Sequence, residues 1–339
     1  MASMEPGTPV GFASVAHDKH PMLFSGRANP DLTSAIGKEL GVAPGAVTLK
    51  TFSAGEVYCR YDESIRDADV FIVQPICNNP VTEVTANDAL VELLLMIDAA
   101  VGASAKRVIA VIPWFGYSRQ DKKSALREPI SARLVAHVLE TAGADRVLTV
   151  DLHAGQVQGF FTKPVDHLTA LFVLAKYFAD LKLDDLVIVS PDVGRVKLNH
   201  KFAEEVGADL ALMTKERPAH QVAEIGYVIG DVKGKTAVIV DDIIDSAGTL
   251  RAAAQTVLDE GAARVYAAAT HGLFSGNAYE NLAAVPFEQI VVTDTVPLLP
   301  GAPDKVVRLS LAGVLADSIR QIATGGSLSR GMSGENQLF

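Results

Sequence analysis

Cysteine is nearly absent: two residues in 339, Cys59 and Cys77, fall in no Cys-x-x-Cys spacing. That excludes a disulfide framework and a cysteine-rich zinc site, and it leads us to expect a reducing, cytoplasmic setting. Basic residues are also scarce. With 30 Lys and Arg against 40 Asp and Glu the formal charge is −10, which argues against a general nucleic-acid binder, because a phosphate backbone demands clustered cations. Any anion site must therefore be local. No apolar run approaches the about 20 residues of a membrane-spanning helix, and the first residues, with Pro6 and Pro9, lack a basic stretch followed by an apolar core. Neither a signal peptide nor a membrane contact is expected. What remains, 49% hydrophobic and 21% charged residues over 339 positions, is a globular chain with room for two ordinary domains.

Apolar runs and helical periodicities alternate along the chain. Strands are expected at Met22–Gly26, Val70–Val73, Val108–Ile112, Val147–Val150, Val187–Val189, Ala237–Val240, Ile290–Thr293 and Val306–Leu309. Helices are expected at Asp31–Leu40, Ala89–Ala100, Ile130–Thr141, Leu171–Leu181, Lys197–Glu205, Leu250–Leu258 and Val314–Ile322. The order predicts an α/β protein with mainly parallel sheets. Thr48–Tyr61 is β-like around a Ser-Ala-Gly turn, Thr214–Gly226 reads as a polar loop able to close over a ligand, and Tyr227–Val240 suggests a hairpin. A Gly-Ala step followed by Arg-Val recurs at Gly102, Gly143 and Gly261, either an internal echo or ordinary helix-to-strand turn chemistry. The echo lies on both sides of a joint at Pro164–His167. We place a tail at 1–20, one domain at 21–165, a second at 166–325 and a Gly- and Ser-rich tail at 326–339.

The chemistry centres on Val238–Thr249, VIVDDIIDSAGT. A buried strand ends in Asp241 and Asp242, and Asp245, Ser246, Ala247, Gly248 and Thr249 lead into a helix. Gly248 is expected to allow a tight bend, Ser246 and Thr249 supply hydroxyls, and the unpaired N–H groups and dipole of the helix favour an anion. Carboxylates repel phosphate, so Asp241, Asp242 and Asp245 are expected to bind sugar hydroxyls or to act through magnesium. Spacing alone leaves open a solvated acidic turn and a receiver-like domain with magnesium on paired aspartates.

Other candidates lie at strand ends, where open α/β sheets bind ligands: His153 two residues after Asp151, Asp192, and the lower-ranked His271. Arg119 and Gln120 follow the aromatic turn Trp114–Tyr117 and could clamp a nucleotide, or could form a solvated basic loop. Lys215 and Arg217 are either surface charges or cations that neutralise charge on transferring phosphates.

Taken together, TFSAGE (Thr51–Glu56), RQDKKS (Arg119–Ser124), DLHAGQVQGFF (Asp151–Phe161), IVSPD (Ile188–Asp192), KER (Lys215–Arg217), DDIIDSAGT (Asp241–Thr249) and THGLFSG (Thr270–Gly276) resemble the ribose-phosphate diphosphokinases, or phosphoribosyl diphosphate (PRPP) synthetases, from about Leu23 to Gly326. DLHAGQVQGFF and TFSAGE separate that family from the phosphoribosyltransferases, which share only the phosphate loop. The resemblance implies two similar phosphoribosyltransferase-like domains, each a mainly parallel sheet flanked by helices. It implies transfer of the diphosphoryl group of ATP to the C1 hydroxyl of ribose 5-phosphate. By motif, Asp245–Thr249 and Arg217 would hold the phosphate sugar, with Asp241 and Asp242 on its hydroxyls. Phe52, Ala54, Gly55 and Glu56 would reach ATP in a neighbouring subunit, beside Arg119 and Gln120. His153 and Asp192 would serve magnesium, and Lys215 and Arg217 would stabilise the transition state. A homohexamer is implied. Three positions depart from the commoner pattern: Ala54 for a polar residue, Ser246 for Thr and Arg195 for Gly. The rival readings are a non-catalytic synthetase-associated subunit and a phosphoribosyltransferase.

Overall fold

The computed structural model describes residues 21–219 and 222–328, with the backbone alone for 215–219 and 222–226. The tails expected at 1–20 and, past residue 328, at the other end lie outside it. In chain order the first half contains β1 (Pro21–Ser25), α1 (Pro30–Leu40), β2 (Val47–Thr51), β3 (Val57–Tyr61), β4 (Asp69–Val73), α2 (Ala86–Gly102), β5 (Arg107–Ile112), α3 (Ser131–Ala142), β6 (Arg146–Val150) and β7 (Val165–Leu168). The second half contains α4 (Leu171–Leu181), β8 (Leu186–Ser190), α5 (Val196–Val206), β9 (Asp209–Ala219), β10 (Val222–Ile229), β11 (Thr236–Ile244), α6 (Gly248–Asp259), β12 (Arg264–Gly272), α7 (Ala278–Ala283), β13 (Phe287–Thr293), β14 (Val306–Leu309) and α8 (Ala312–Thr324).

Helix limits follow local chemistry. Asn29 caps α1 by accepting from Leu32 N, Pro30 occupies the first turn, and Gly41 closes the helix at φ 74°. The start of α2 precedes the expected Ala89 because Thr85 and Asp88 form a reciprocal capping box. The short α7 went unpredicted, its single turn and a half carrying little periodicity.

The first sheet is wholly parallel in the order β1-β4-β5-β6-β7, and the second runs β10-β9-β8-β11-β12-β13-β14 with only β10 antiparallel to its neighbour. Parallel strands buried on both faces need apolar side chains on both, which these strands have. Phe24, Val70, Ile72 and Ala110 face a core with α2 and α3, while Leu23, Phe71, Val73 and Ile109 face the opposite way. That opposite core also contains α1, α4, α5 and α8 together with Ile188, Val238 and Val291 of the second sheet. Four helices are thus a filling shared by two sheets, and α6 and α7 cover the outer face of the second. Among the described residues no helix is long and apolar enough to cross a membrane.

Two expectations need correction. Thr214–Gly226 is not a loop where the backbone is described: β9 and β10 form an antiparallel hairpin at the edge of the sheet, where charged residues are tolerated and blunt further pairing. The hairpin expected at Tyr227–Val240 does not form, since the apolar β11 inserts between β8 and β12. Past Pro164, the joint runs along β7, the edge strand of the first sheet, and the chain reaches the second sheet through α4. The recurring Arg-Val has a structural meaning. Arg107, Arg146 and Arg264 each open a strand and bond across to the next one, at Asp69, Asp166 and Thr236.

A buried polar junction joins the sheets. His271 of β12, fully buried against Trp114 with ring centroids 4.7 Å apart, bonds Thr295 Oγ1 at 2.9 Å and faces the carbonyls of Val150 and Asp151 at 3.2 Å. Asp151 Oδ2 accepts from Thr270 Oγ1 and Ala170 N, and His167 Nε2 accepts from Leu152 N at 2.7 Å. An imidazole that accepts there must be neutral, and burial pushes the His167 pKa down to about 4. A depressed histidine pKa stabilises the fold fully above the unfolded value of about 6.5, and that contribution is lost as pH falls toward the folded value. The unfolding midpoint should therefore drop as pH falls from 6.5 toward 4, and His167→Gln should flatten that slope; equal slopes in both proteins would exclude His167 as its source. Phe178, 1% exposed, meets Phe202 and Tyr266 edge-on at 6.1 Å in the shared layer. Phe178→Ala should cost about 3–5 kcal/mol in urea unfolding, and a loss under about 1 kcal/mol would show that the layer closes over the gap.

Candidate active site

Functional side chains gather where parallel strands end. β11 pairs with β8 only from Thr236 to Ile239 but continues beside β12 to Ile244. The shortfall of β8 opens a cavity of about 310 Å³ walled by Arg119, His153, Pro191, Asp192, Arg195 and the run Asp241–Leu250. Its position at the carboxyl ends of the strands is where open α/β sheets bind ligands.

Asp242 is the fixed point of this cavity. Its side chain is 1% exposed, and its Oδ2 lies 2.7 Å from His153 Nδ1 and 2.5 Å from Arg195 Nη2. Arg195 also donates to the His153 carbonyl at 2.9 Å. Burial alone would raise this carboxyl, but the His153 hydrogen bond and the Arg195 charge hold it well below the usual range. The neighbouring Asp241 goes the other way, raised by its own burial and by the Asp242 charge. Its Oδ1 accepts from Asp242 N at 2.8 Å. Two adjacent carboxylates thus divide into one held ionised and one reluctant to ionise.

At the other end of the cavity, Ala247 takes left-handed backbone angles of φ 59° and ψ 9°, and Gly248 already begins α6. The tight bend expected at Gly248 therefore falls one residue earlier, on a side chain small enough to accept it. No side chain caps α6, so its first-turn amides are available to an anion. Ser246 O accepts from Asn281 Nδ2 at 2.9 Å, and Ile244 O accepts from Leu273 N and Phe274 N, which brace the loop from the next strand. Arg119 Nη1 meets Asp245 Oδ2 at 2.6 Å. Burial would raise the Asp245 carboxyl, and the bonds to Arg119 and Ser275 keep it low.

Arg119 also borders a cleft of about 940 Å³ lined by Trp114, Tyr117, Gln120, Phe274 and Tyr279 among others. Gln120 belongs to that cleft and not to the smaller cavity. Of the other predicted residues, Asp192, Asp241, Asp242, Asp245, Ser246, Ala247, Gly248 and Thr249 join His153 and Arg119 on one cavity wall. Phe52, Ala54, Gly55 and Glu56 form the exposed tip between β2 and β3, apart from both cavities, with Phe52 46% exposed. Lys215 and Arg217 belong to β9, and their side chains lie outside the described residues. His271 is locked in the junction behind the site. The contact that sequence reasoning missed is Arg195 to Asp242; a basic residue just past a strand end was the available signal.

Among the described residues no three His, Cys, Asp or Glu side chains come together as a metal cage. His153 is engaged with Asp242, and Asp192 accepts from Gly194 N at 3.0 Å. Such a donor set fits magnesium, which keeps water and phosphate oxygens and needs only one or two protein ligands.

Comparison with known proteins agrees with this geometry. Residues 21–143 match the family model of the N-terminal domain of ribose phosphate pyrophosphokinase, and residues 203–332 match that of the phosphoribosyl synthetase-associated domain. The chain is 48% identical over 310 residues to a ribose-phosphate pyrophosphokinase of Caldanaerobacter subterraneus, covering 91% of this chain and 96% of that one. It is 46% identical over 314 residues to the corresponding protein of Gloeobacter violaceus, covering 92% and 93%. The crystal structure of phosphoribosylpyrophosphate synthetase from Mycobacterium smegmatis superimposes with a TM-score of 0.83 at 44% identity, covering 91% of this chain and all of that one. With two sheets of this kind, matching relatives over nearly their whole length, the chain belongs to the ribose-phosphate pyrophosphokinase family.

Proposed function

We propose that this protein transfers the diphosphoryl group of ATP to the C1 hydroxyl of ribose 5-phosphate, giving PRPP and AMP, in the cytoplasm and for nucleotide biosynthesis. The observation that carries the reading is the single cavity in which Asp241, Asp242 and the uncapped start of α6 lie together, in a chain that matches a synthetase relative over 96% of that relative's length. The start of α6 with Ser246 and Thr249 holds the 5-phosphate, and Asp241 and Asp242 take the ribose hydroxyls. Arg119 and Gln120, between this cavity and the larger cleft, hold ATP. The C1 hydroxyl gives up its proton to solvent as its oxygen bonds the β-phosphorus, the bridge from that phosphorus to the α-phosphate breaks, and AMP departs with the bridging oxygen. The chain's part is alignment and charge neutralisation, with no covalent enzyme intermediate. His153 and Asp192 would hold magnesium, which when bound neutralises phosphate charge and orients the triphosphate. Lys215 and Arg217, on the β9 side of the hairpin, stabilise charge in the transition state, and Arg217 also contacts ribose 5-phosphate.

The two-domain division at 165/166 and a homohexamer belong to the same reading. The exposed tip Phe52–Glu56 stands apart from its own chain's cavities, as a segment serving a neighbouring copy's ATP would. A regulatory relative would have no need of the paired charges around Asp242, and a phosphoribosyltransferase would have no need of the first sheet and its Arg119.

Phosphorus NMR of the protein with magnesium, ATP and ribose 5-phosphate should show AMP and PRPP growing in equal amounts. ADP in place of AMP would mean attack at the γ-phosphorus, and no turnover would return the associated-subunit reading. Lys215→Ala should cut turnover by about 10²-fold or more with an unchanged unfolding midpoint; an unchanged rate would remove Lys215 from the mechanism.

A further inference from the structure

Arg195 closes the short 3-10 turn Val193–Arg195 that follows β8. Its side chain is only 16% exposed, and its guanidinium joins three segments: its own turn, Asp242 at the end of β11, and the His153 carbonyl after β6. The last of these belongs to the first sheet and the other two to the second. Arg195 and His153 both meet the same oxygen of Asp242, Oδ2. A carboxylate held by one donor can still swing about its own bond. A hydrogen bond from His153, together with a guanidinium held against the same oxygen from a different segment, restricts that swing and thereby aims the second oxygen. Both contacts of Arg195 are made by Nη2, whose N–H directions are fixed in the guanidinium plane, whereas an ammonium turns freely about its own bond.

Arg119 contrasts with it. The Arg119–Asp245 pair is 48% and 30% exposed and Arg119 borders both cavities, so it is free to exchange its carboxylate for a substrate phosphate. Arg195 is largely covered and doubly engaged and stays where it is.

We propose that Arg195 is a positioning residue for the sugar half of the site. By fixing Asp242 it sets the affinity for ribose 5-phosphate, and it leaves ATP recognition to Arg119 and Gln120. This rests on the functional reading above, so the test separates the two. Wild-type PRPP formation checks the reaction, and calorimetric binding of ribose 5-phosphate without ATP checks Arg195 by itself. Arg195→Ala should raise both the Kd and the KM for ribose 5-phosphate about tenfold, with KM for ATP within about twofold and kcat less affected than KM. Added methylguanidinium should restore part of the sugar affinity to Arg195→Ala and none to Arg195→Lys, whose ammonium should recover the charge but only part of the binding. Should Arg195→Ala fail to fold, Arg195→Lys with a normal unfolding midpoint still reads the effect, as a severalfold weaker Kd for the sugar. Unchanged sugar binding in the folded variant, or an equal loss for both substrates without methylguanidinium rescue, would overturn the proposal.

Discussion

The site depends on keeping one buried carboxylate charged. Asp242 is almost wholly removed from water, and its ionised form persists because His153 and Arg195 share its Oδ2. Removing one partner of such a buried ion pair typically costs about 3–5 kcal/mol, since the remaining charge is left uncompensated. That cost enforces geometry. His153 comes from the first sheet and Asp242 from the second, so the charge stays paired only when both sheets stand in one mutual position. The parts of the cavity that come from the two sheets are brought into register by the same contact that keeps the carboxylate ionised.

The packing behind the site supports this arrangement. A shared layer of α1, α4, α5 and α8 is apolar toward both sheets, and Asp151, Thr270 and His271 tie the strand ends together just below the cavity. Every polar group named in that junction has a partner, as burial demands. Its histidines serve as neutral hydrogen-bonding groups behind the cavity, whereas His153, 38% exposed, lies on the cavity wall.

Much of this was legible in the sequence, for a physical reason. Buried parallel strands require continuous apolar runs, so Val70–Val73, Val108–Ile112 and Ala237–Val240 announced themselves, and α4 ended where its periodicity did. The aspartates of β11 and the loop to α6 were legible because few other uses place three carboxylates and two hydroxyls between a buried strand and a helix. Long-range partnership was not legible. Nothing local tells that β11 inserts between β8 and β12 and leaves β10 to pair with β9, because pairing is decided by the whole sheet. The tight bend expected at Gly248 falls instead on Ala247, 5% exposed and left-handed, because the helix already begins at Gly248.

The charge of −10 poses a problem for a protein whose proposed ligands are both phosphates, and the cavity answers it by pairing. Asp242 and Asp245 each face an arginine, and Asp241, next to them, resists ionisation. The cavity is therefore less negative than its four acidic residues, Asp192, Asp241, Asp242 and Asp245, suggest. The pairings also differ in kind. The exposed Arg119–Asp245 pair costs little to open, so an arriving phosphate can take the guanidinium. The buried Arg195–Asp242 pair does not open cheaply and keeps its carboxylate as an acceptor. One arginine is thus open to exchange its partner and the other is committed to structure, and burial of the carboxylate, more than residue type, decides which is which.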